Sequence, residues 1–541
     1  MLGKNFTASL EKNHMEIPWN NYSDSDSKLK IKDSSLANKA SVIGRVGLIM
    51  LSCGTGAWRV RASMNRLAKE LGVTCSVDVG LMSIHFNCFD NSECITQSLS
   101  LANTGVNTSK LYRIEQFVKN FTEYDHSDTS DDTVNKNNTL ESSYDIDNTK
   151  YLFSQNKAAT HNDALIHNES ARHNDSLIHN NSVPHNDSLI HNNSVPHNDS
   201  LIYNESLTQN DARPQKEASG CNMTTASIHK ELDTIEHIPS FYSSAKLGLA
   251  AALACSAFTF LLGGGVIEML LVFIAAGIGN YIRTKMIHRH FTLLLNISVS
   301  ISVACLIYAL CLKFAQVMFN VSSVHEPGYI CSILFIIPGF PFITSGIDLA
   351  KLDLRSGIER LTYSSIIVLV ATVFAWIMAL ILNLTPSDFT PIYMNAVLRL
   401  VLRIIASFCG VLGFSFMFNS SLKMAGTAAL IGCLANTLRL ELVDFTAMPA
   451  AAAAFIGALT AGLLASVIKK NSGYPRITLT VPSIVIMVPG LYLYKAIYNF
   501  GIMSLSDAVT WFISAVMIII ALPLGLIFAR ILTDKTFRHC N

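Results

Sequence analysis

The chain has 541 residues, 50% of them hydrophobic and 15% charged, and its 40 Lys and Arg nearly cancel its 39 Asp and Glu to leave a formal net charge of +1. That balance argues against a nucleic-acid partner, and the polar stretch 1–41 lacks the apolar core that a cleavable signal peptide needs. The twelve cysteines are scattered with no CxxC pair, so reduced structural thiols are expected, with no metal site and no cofactor.

Residues 1–40 read as a disordered lead-in dominated by Asp, Ser, Asn and Lys. Ile43–Met50, followed by Val60, Met64, Leu67 and Leu71 at helical spacing, predicts two helices, the second stopped by Gly72. The turn between them, SCGTGAW, lacks the Gly-Lys-Ser/Thr ending of a phosphate loop and follows no strand. Thr74–Phe89 alternates and predicts one or two strands; Cys94–Leu101 predicts another, and Lys110–Phe121 an amphipathic helix. Residues 41–121 therefore form the first part of a small α/β domain, which an amphipathic helix at Ser227–His237, within 222–244, completes.

Between them, 122–221 is polar and of low complexity. A twelve-residue unit begins at His161, His173, His185 and His197, most clearly as HNDSLIHNNSVP. Two hydrophobes per unit are too few for a core, so a disordered insertion is expected, with weak zinc or nickel binding by the spaced histidines as the alternative. Its Asn-x-Ser/Thr matches follow from composition and fall on the cytoplasmic side in the topology below.

Ten apolar segments follow: Leu247–Leu262, Val266–Ile282, Phe291–Leu312, Ile330–Ile347, Leu361–Leu382, Ile392–Phe418, Met424–Leu438, Phe445–Ile468, Leu479–Phe500 and Ala508–Ile531. Each is near the length that crosses a bilayer. With the amino-terminal domain inside, inner connections hold Arg283, Lys285, Arg289, Lys351, Arg355, Arg360, Lys423, Lys469, Lys470 and Arg476, while outer ones hold Lys313 and Arg439. This asymmetry predicts both termini in the cytoplasm.

The fourth and ninth segments are broken by matching Pro-Gly pairs, in IIPGFPFITSGID and IMVPGLYLYKAIYN. An interior Pro costs a helix about 3 kcal/mol and Gly about 1, and a freed backbone group in lipid must face protein or a watery cavity. Five spans separate the two breaks, an odd number, so the halves 245–383 and 384–541 lie upside down to each other. NYIR at 280–283 and NTLR at 436–439 extend the repeat. The fold class is an all-α polytopic membrane protein of ten transmembrane helices in an inverted 5+5 repeat, with a small α/β cytoplasmic amino-terminal domain. Interrupted helices in corresponding positions point to a transporter's binding site.

Several motifs then resemble one family in order: SCGTGAWRVRASMNRLAKELG, DVGLMSIHF, TGVNTSKL, LLGGGVIEMLL, IIPGFPFITSGIDLAKLDLRSGIERL, ASFCGVLGFSFMFNSS and VPSIVIMVPGLYLYKAI. They resemble the threonine/serine exporter (ThrE-like) family, with both membrane halves fused in one chain. The likeness covers about 41–121 and 227 to near the end; the insertion departs from it. It implies a secondary exporter of small amino acids in the cytoplasmic membrane, powered by an ion gradient with H+ as the expected coupling ion. Two-component relatives are linked to a dicarboxylate, which leaves the substrate open. A membrane-anchored hydrolase using the amino-terminal domain and a passive pore are the competing readings. No Ser, His, Asp spacing in that domain forms a triad, and His85 stands alone on a strand.

The candidate substrate-binding residues follow from charge and backbone. Half-helix starts at Pro338-Gly339 and Pro489-Gly490 offer N–H groups to a carboxylate, with Thr344 and Ser345 one turn on. Glu268 is the main intramembrane carboxylate for an ammonium; Asp348 ends the fourth span. Arg399, Arg403 and Lys495 either reach the interface or hold a carboxylate. The expected partners are a small-molecule substrate, the coupling ion and the bilayer, with homo-oligomerisation left open.

Overall fold

The computed structural model describes residues 17, 19, 29–122 and 219–538; the repeats and most of the lead-in lie outside them. The amino-terminal domain comprises α1 (Leu36–Ser52), α2 (Ala57–Glu70), β1 (Thr74–Val79), β2 (Ser83–Phe89), β3 (Cys94–Ser100), α3 (Thr108–Thr122) and α4 (Thr225–Glu236). Its strands form an antiparallel meander with Val77 opposite Phe86. Alternation places Ile84, Phe86 and Cys88 in the core, and the alternating Thr74–Phe89 stretch is two strands.

α1 is buried along almost its whole length. Two glycines let it approach its neighbours: a Cβ on Gly44 would lie 2.7 Å from the Phe86 ring, and one on Gly47 would lie 2.5 Å from the Met64 sulfur. The described chain resumes beside α3, with Gly220 seated against the ring of Phe121. α4 then packs on α1 through Arg45, which is 2% exposed and bonds Asp233, Glu236 and the His229 carbonyl.

The membrane region contains α5 (Ser244–Leu261), α6 (Val266–His288), α7 (Leu293–Phe319), a short α8 (Gly328–Cys331), α9 (Gly339–Ala350) and α10 (Leu354–Leu382). Its second half holds α11 (Ala396–Met417), α12 (Leu422–Thr446), α13 (Ala450–Ser472), α14 (Arg476–Ile484), α15 (Gly490–Gly501) and α16 (Leu505–Thr533). Among the described residues, seven helices are long and apolar enough to cross a membrane, or nine if each of two bent pairs counts as one span. Those pairs are Ser323–Ile336 with α9, bent by 57°, and Arg476–Met487 with α15, bent by 44°. The segment Met424–Leu438 forms part of the 25-residue α12, which is not among that set. Outward-facing Leu310, Phe314, Ile381 and Ile520 stay exposed, as on a lipid-facing surface.

The two bent pairs share backbone conformation position by position. Ile333 (φ −104°, ψ −3°) matches Ile484 (φ −106°, ψ −1°), and Pro338 (φ −81°, ψ 61°) matches Pro489 (φ −82°, ψ 57°). Leu352 and Met503 both turn the chain at φ 62°. α9 and α15 have 12 residues each, and α10 and α16 have 29 each. Asn280 and Asn436 are both 1% exposed and both donate through Nδ2, to Leu247 and Ser407.

One buried network in the domain makes its stability depend on pH. The Ser41 hydroxyl gives its hydrogen to the Asn38 carbonyl at 2.7 Å, so His229 Nε2, 3.0 Å from Ser41 Oγ, must be the donor of that pair. Nδ1 is left bare to accept from Arg45 Nη1 at 3.3 Å, and the ring is neutral. Burial, reinforced by the Arg45 charge, pushes the imidazole down to about 4. The unfolded chain therefore binds this proton first, so its contribution is complete above about pH 6.5 and falls away as pH drops toward 4. The loss approaches about 3 kcal/mol. Thermal unfolding of the purified chain should show a lower Tm at pH 5 than at pH 7.5, and His229→Gln should flatten that slope; an unchanged slope in the variant would remove His229 as its source.

Candidate functional site

The two breaks meet. A Cβ on Gly339 would lie 2.4 Å from Val485 and 3.2 Å from Val488, and one on Gly490 would lie 3.0 Å from Leu334 and 3.1 Å from Ile337. Each glycine thus fits against the hydrophobes of the opposite break, where a side chain would not. Pro338 and Pro489 cap the half-helices. Gly339 N–H bonds the Ile337 carbonyl at 2.8 Å and Gly490 N–H the Val488 carbonyl at 2.9 Å. The crossing is apolar and buried through Leu334, Ile336, Val485 and Val488.

On the domain side of the crossing lies a small, partly open cavity. Thr344 and Ile347 come from α9, Arg476 and Thr480 from α14, Arg530 from α16, and Gly56, Trp58 and Arg59 from the amino-terminal domain. Arg59 pairs with Glu115, and Arg530 with Asp534 at 3.4 Å. Arg530 also stacks over the Trp58 ring at 4.2 Å. Arg476 donates instead to neutral acceptors, Thr533 Oγ1 and the Gly462 carbonyl, each at 2.9 Å.

Asp348 is beside this cavity but sealed from solvent at 0% exposure. It accepts from Ala57 N–H at 3.2 and 3.3 Å and from the Ser356 hydroxyl at 2.9 Å, and forms an ion pair with Arg360, whose Nε lies 3.3 Å away and donates to Ser356 Oγ. Arg360, 2% exposed, donates to the carbonyls of Gly54 and Thr55. A Cβ on Gly56 would stand 2.5 Å from Asp348 Oδ1, so only glycine lets the turn close on the carboxylate. The SCGTGAW turn is therefore an anion clamp for a protein carboxylate, with the start of α2 supplying the N–H. Ser345 donates to the Gly357 carbonyl at 2.7 Å and tightens the α9–α10 hairpin.

The other candidates sit at the opposite ends of these helices. Glu268 is 1% exposed, caps its own helix through Gly265 N–H at 2.9 Å and meets His325 Nδ1 at 2.8 Å. Lys495 pairs with Asp388 and lies over the Trp511 ring. Arg403 holds Glu441 at 2.8 Å and Asp444 at 2.7 Å, with Arg399 3.9 Å from Asp444. Between that end and the crossing, the hydroxyls of Tyr329 and Tyr494 meet at 2.6 Å. The structure thus brings Pro338, Gly339, Pro489 and Gly490 together, puts Thr344 on the cavity, and holds Glu268, Lys495 and the Arg399–Arg403 pair in three separate ion-pair sets. Sequence reasoning passed over Arg476, Thr480, Arg59 and His325; the charge of Arg476 beside a broken span was the available signal.

A family model described as “Putative threonine/serine exporter” matches residues 41–131 and 215–383, and a second, “Threonine/Serine exporter, ThrE”, matches 403–532. The “Probable succinate transporter subunit YjjP” of Klebsiella aerogenes is 29% identical over 142 residues, 26% of this chain and 53% of that protein. Its counterpart from Escherichia coli K12 is 28% identical over 142 residues, 26% of this chain and 54% of that protein. The chain thus spans about half the length of the curated relatives it matches. No solved structure matches the chain.

Breaking a buried ion pair from one side strands the other charge and costs about 3–5 kcal/mol. Asp348→Ala should therefore lower the detergent-phase melting temperature more than the paired change Asp348→Ala with Arg360→Leu. Equal losses in the single and double variants would show that the pair is not what holds the turn.

Proposed function

Because the chain belongs to the threonine/serine exporter family, we propose that it is a secondary transporter exporting threonine, serine or a similar small amino acid across the cytoplasmic membrane. The family is one of transporters, not enzymes, which sets the hydrolase reading aside. The driving force is an ion gradient, with H+ as the coupling ion. One observation carries the reading: two conformationally matched helix breaks, one from each half, crossing at their glycines beside a cavity. Such breaks at corresponding positions are how secondary transporters build a site near the bilayer midplane. In this reading the spans number ten, α12 included, the halves are inverted, and both termini are cytoplasmic as the Lys and Arg asymmetry requires. The cavity then opens inward, while the Tyr329–Tyr494 contact and the ion pairs around Glu268, Lys495 and Arg403 close the outer end.

A small dicarboxylate is the second reading. It is favoured by the three guanidinium groups at the cavity and by the likeness to proteins named for succinate. Proteoliposomes loaded with labelled threonine or labelled succinate separate the two. The expected result is threonine efflux accelerated by an inward proton gradient, competed by serine and abolished by a protonophore. Movement indifferent to the gradient would make the protein a pore, and movement of neither compound would sink the transporter reading.

The crossing predicts unequal sensitivity of its two glycines. A methyl group at Gly339 meets Val485 at 2.4 Å, whereas one at Gly490 meets the flexible end of Leu334 at 3.0 Å. Overpacking costs about 1–3 kcal/mol. Gly339→Ala should cut transport per inserted molecule roughly tenfold or more, and Gly490→Ala by less. Normal transport in Gly339→Ala would show that the breaks pack without moving.

A further inference from the structure

We propose that the cavity between the amino-terminal domain and the second broken segment is an inner binding site for a substrate bearing a carboxylate. Arg476 is its anchor, and the Thr344 and Thr480 oxygens accept from the substrate's ammonium or hydroxyl group. The inference rests on the transporter reading and narrows it to a place and an anchoring residue.

The argument begins with charge. Three guanidinium groups face the cavity, but Glu115 neutralises Arg59 and Asp534 pairs with Arg530. Arg476 alone of the three is held by neutral oxygens. A guanidinium has five N–H donors in a planar fork suited to a carboxylate, so capacity and charge both remain. An Arg476 fork held by neutral oxygens suits a carboxylate ligand.

The hydroxyls supply the other half. Thr344 gives its hydrogen to the Phe340 carbonyl at 3.1 Å and Thr480 to the Arg476 carbonyl at 3.0 Å. Their hydrogens are committed to their own helices, so each oxygen serves a ligand as an acceptor. Trp58, fixed under Arg530 at 4.2 Å, closes the domain side. The amino-terminal domain is thereby part of the substrate's path.

The test uses the full chain in nanodiscs for binding of labelled threonine and in proteoliposomes for threonine exchange. Arg476→Gln should raise Kd and the exchange KM about 10- to 100-fold, with Arg476→Lys partly restoring both. Because Arg476 also ties α14 to α13 and α16, Thr480→Val serves as a near-isosteric second variant and should raise KM severalfold with the maximal rate kept. Wild-type KM in both Arg476→Gln and Thr480→Val overturns the site while leaving transport intact. Succinate bound more tightly than threonine by the unmodified protein overturns the assignment of Thr344 and Thr480 as acceptors for an ammonium. A wild-type protein that neither binds nor exchanges threonine or serine removes the transporter reading and this site with it.

Discussion

A peptide group released from its helix inside a bilayer has no water to bond, and the whole membrane region is arranged around two places where that happens. The residues there reduce the debt by their own chemistry. Pro338 and Pro489 have no N–H to satisfy, and Gly339 and Gly490 turn theirs back onto the carbonyls two residues earlier. What remains is covered by protein, because each break is packed against the other. Neither half could bury its break alone. The fusion of both halves in one chain keeps that mutual cover intramolecular, with no second subunit to find.

The amino-terminal domain touches both halves, but not in the same way. To the first half it is joined by charge: Asp348 and Arg360 are buried within the Gly54–Ala57 turn, Arg61 pairs with Asp353 at 2.6 Å, and Leu81 N–H bonds Glu359. To the second half it is joined by neutral and aromatic contacts, with Thr108 on the Phe418 carbonyl, Tyr112 edge-on to Tyr474 and Trp58 under Arg530. Any relative motion of the halves must loosen one of these sets. Removing a buried charge from its partner costs more than parting neutral hydrogen bonds or an aromatic edge, so the second set is the one built to open.

Much of this was legible in the residues. Strand alternation, the helical spacing of Val60, Met64 and Leu67, and the Pro-Gly pairs are local signals, and local signals become local structure. The likeness of the two broken segments was readable too, and they share backbone conformation from Ile333 and Ile484 to the left-handed Leu352 and Met503. Partnerships across long separations were not readable. Nothing near Asp348 announces that its partner is the N–H of Ala57, 291 residues earlier. Likewise Glu268 looked available for an ammonium because the sequence cannot show that His325 folds back onto it. Arg476 and His325 each stand thirteen residues ahead of their break's proline. One became a cavity cation and the other a neighbour of a buried glutamate, a difference set by packing partners and invisible in spacing.

The crossing of Gly339 and Gly490 has a mechanical consequence. Where two segments touch most closely, relative displacement must be least, so the contact behaves as a fulcrum. α9 has 12 residues and is therefore a lever arm of about 18 Å. A tilt of about 10° around the crossing would move its far tip by roughly 3 Å, the width of a small ligand's polar group, while the glycine contact itself shifted by a small fraction of that. The tip of this arm is where Asp348 grips the amino-terminal domain. A small rotation at the crossing is thus delivered, enlarged, to the turn that walls the cavity.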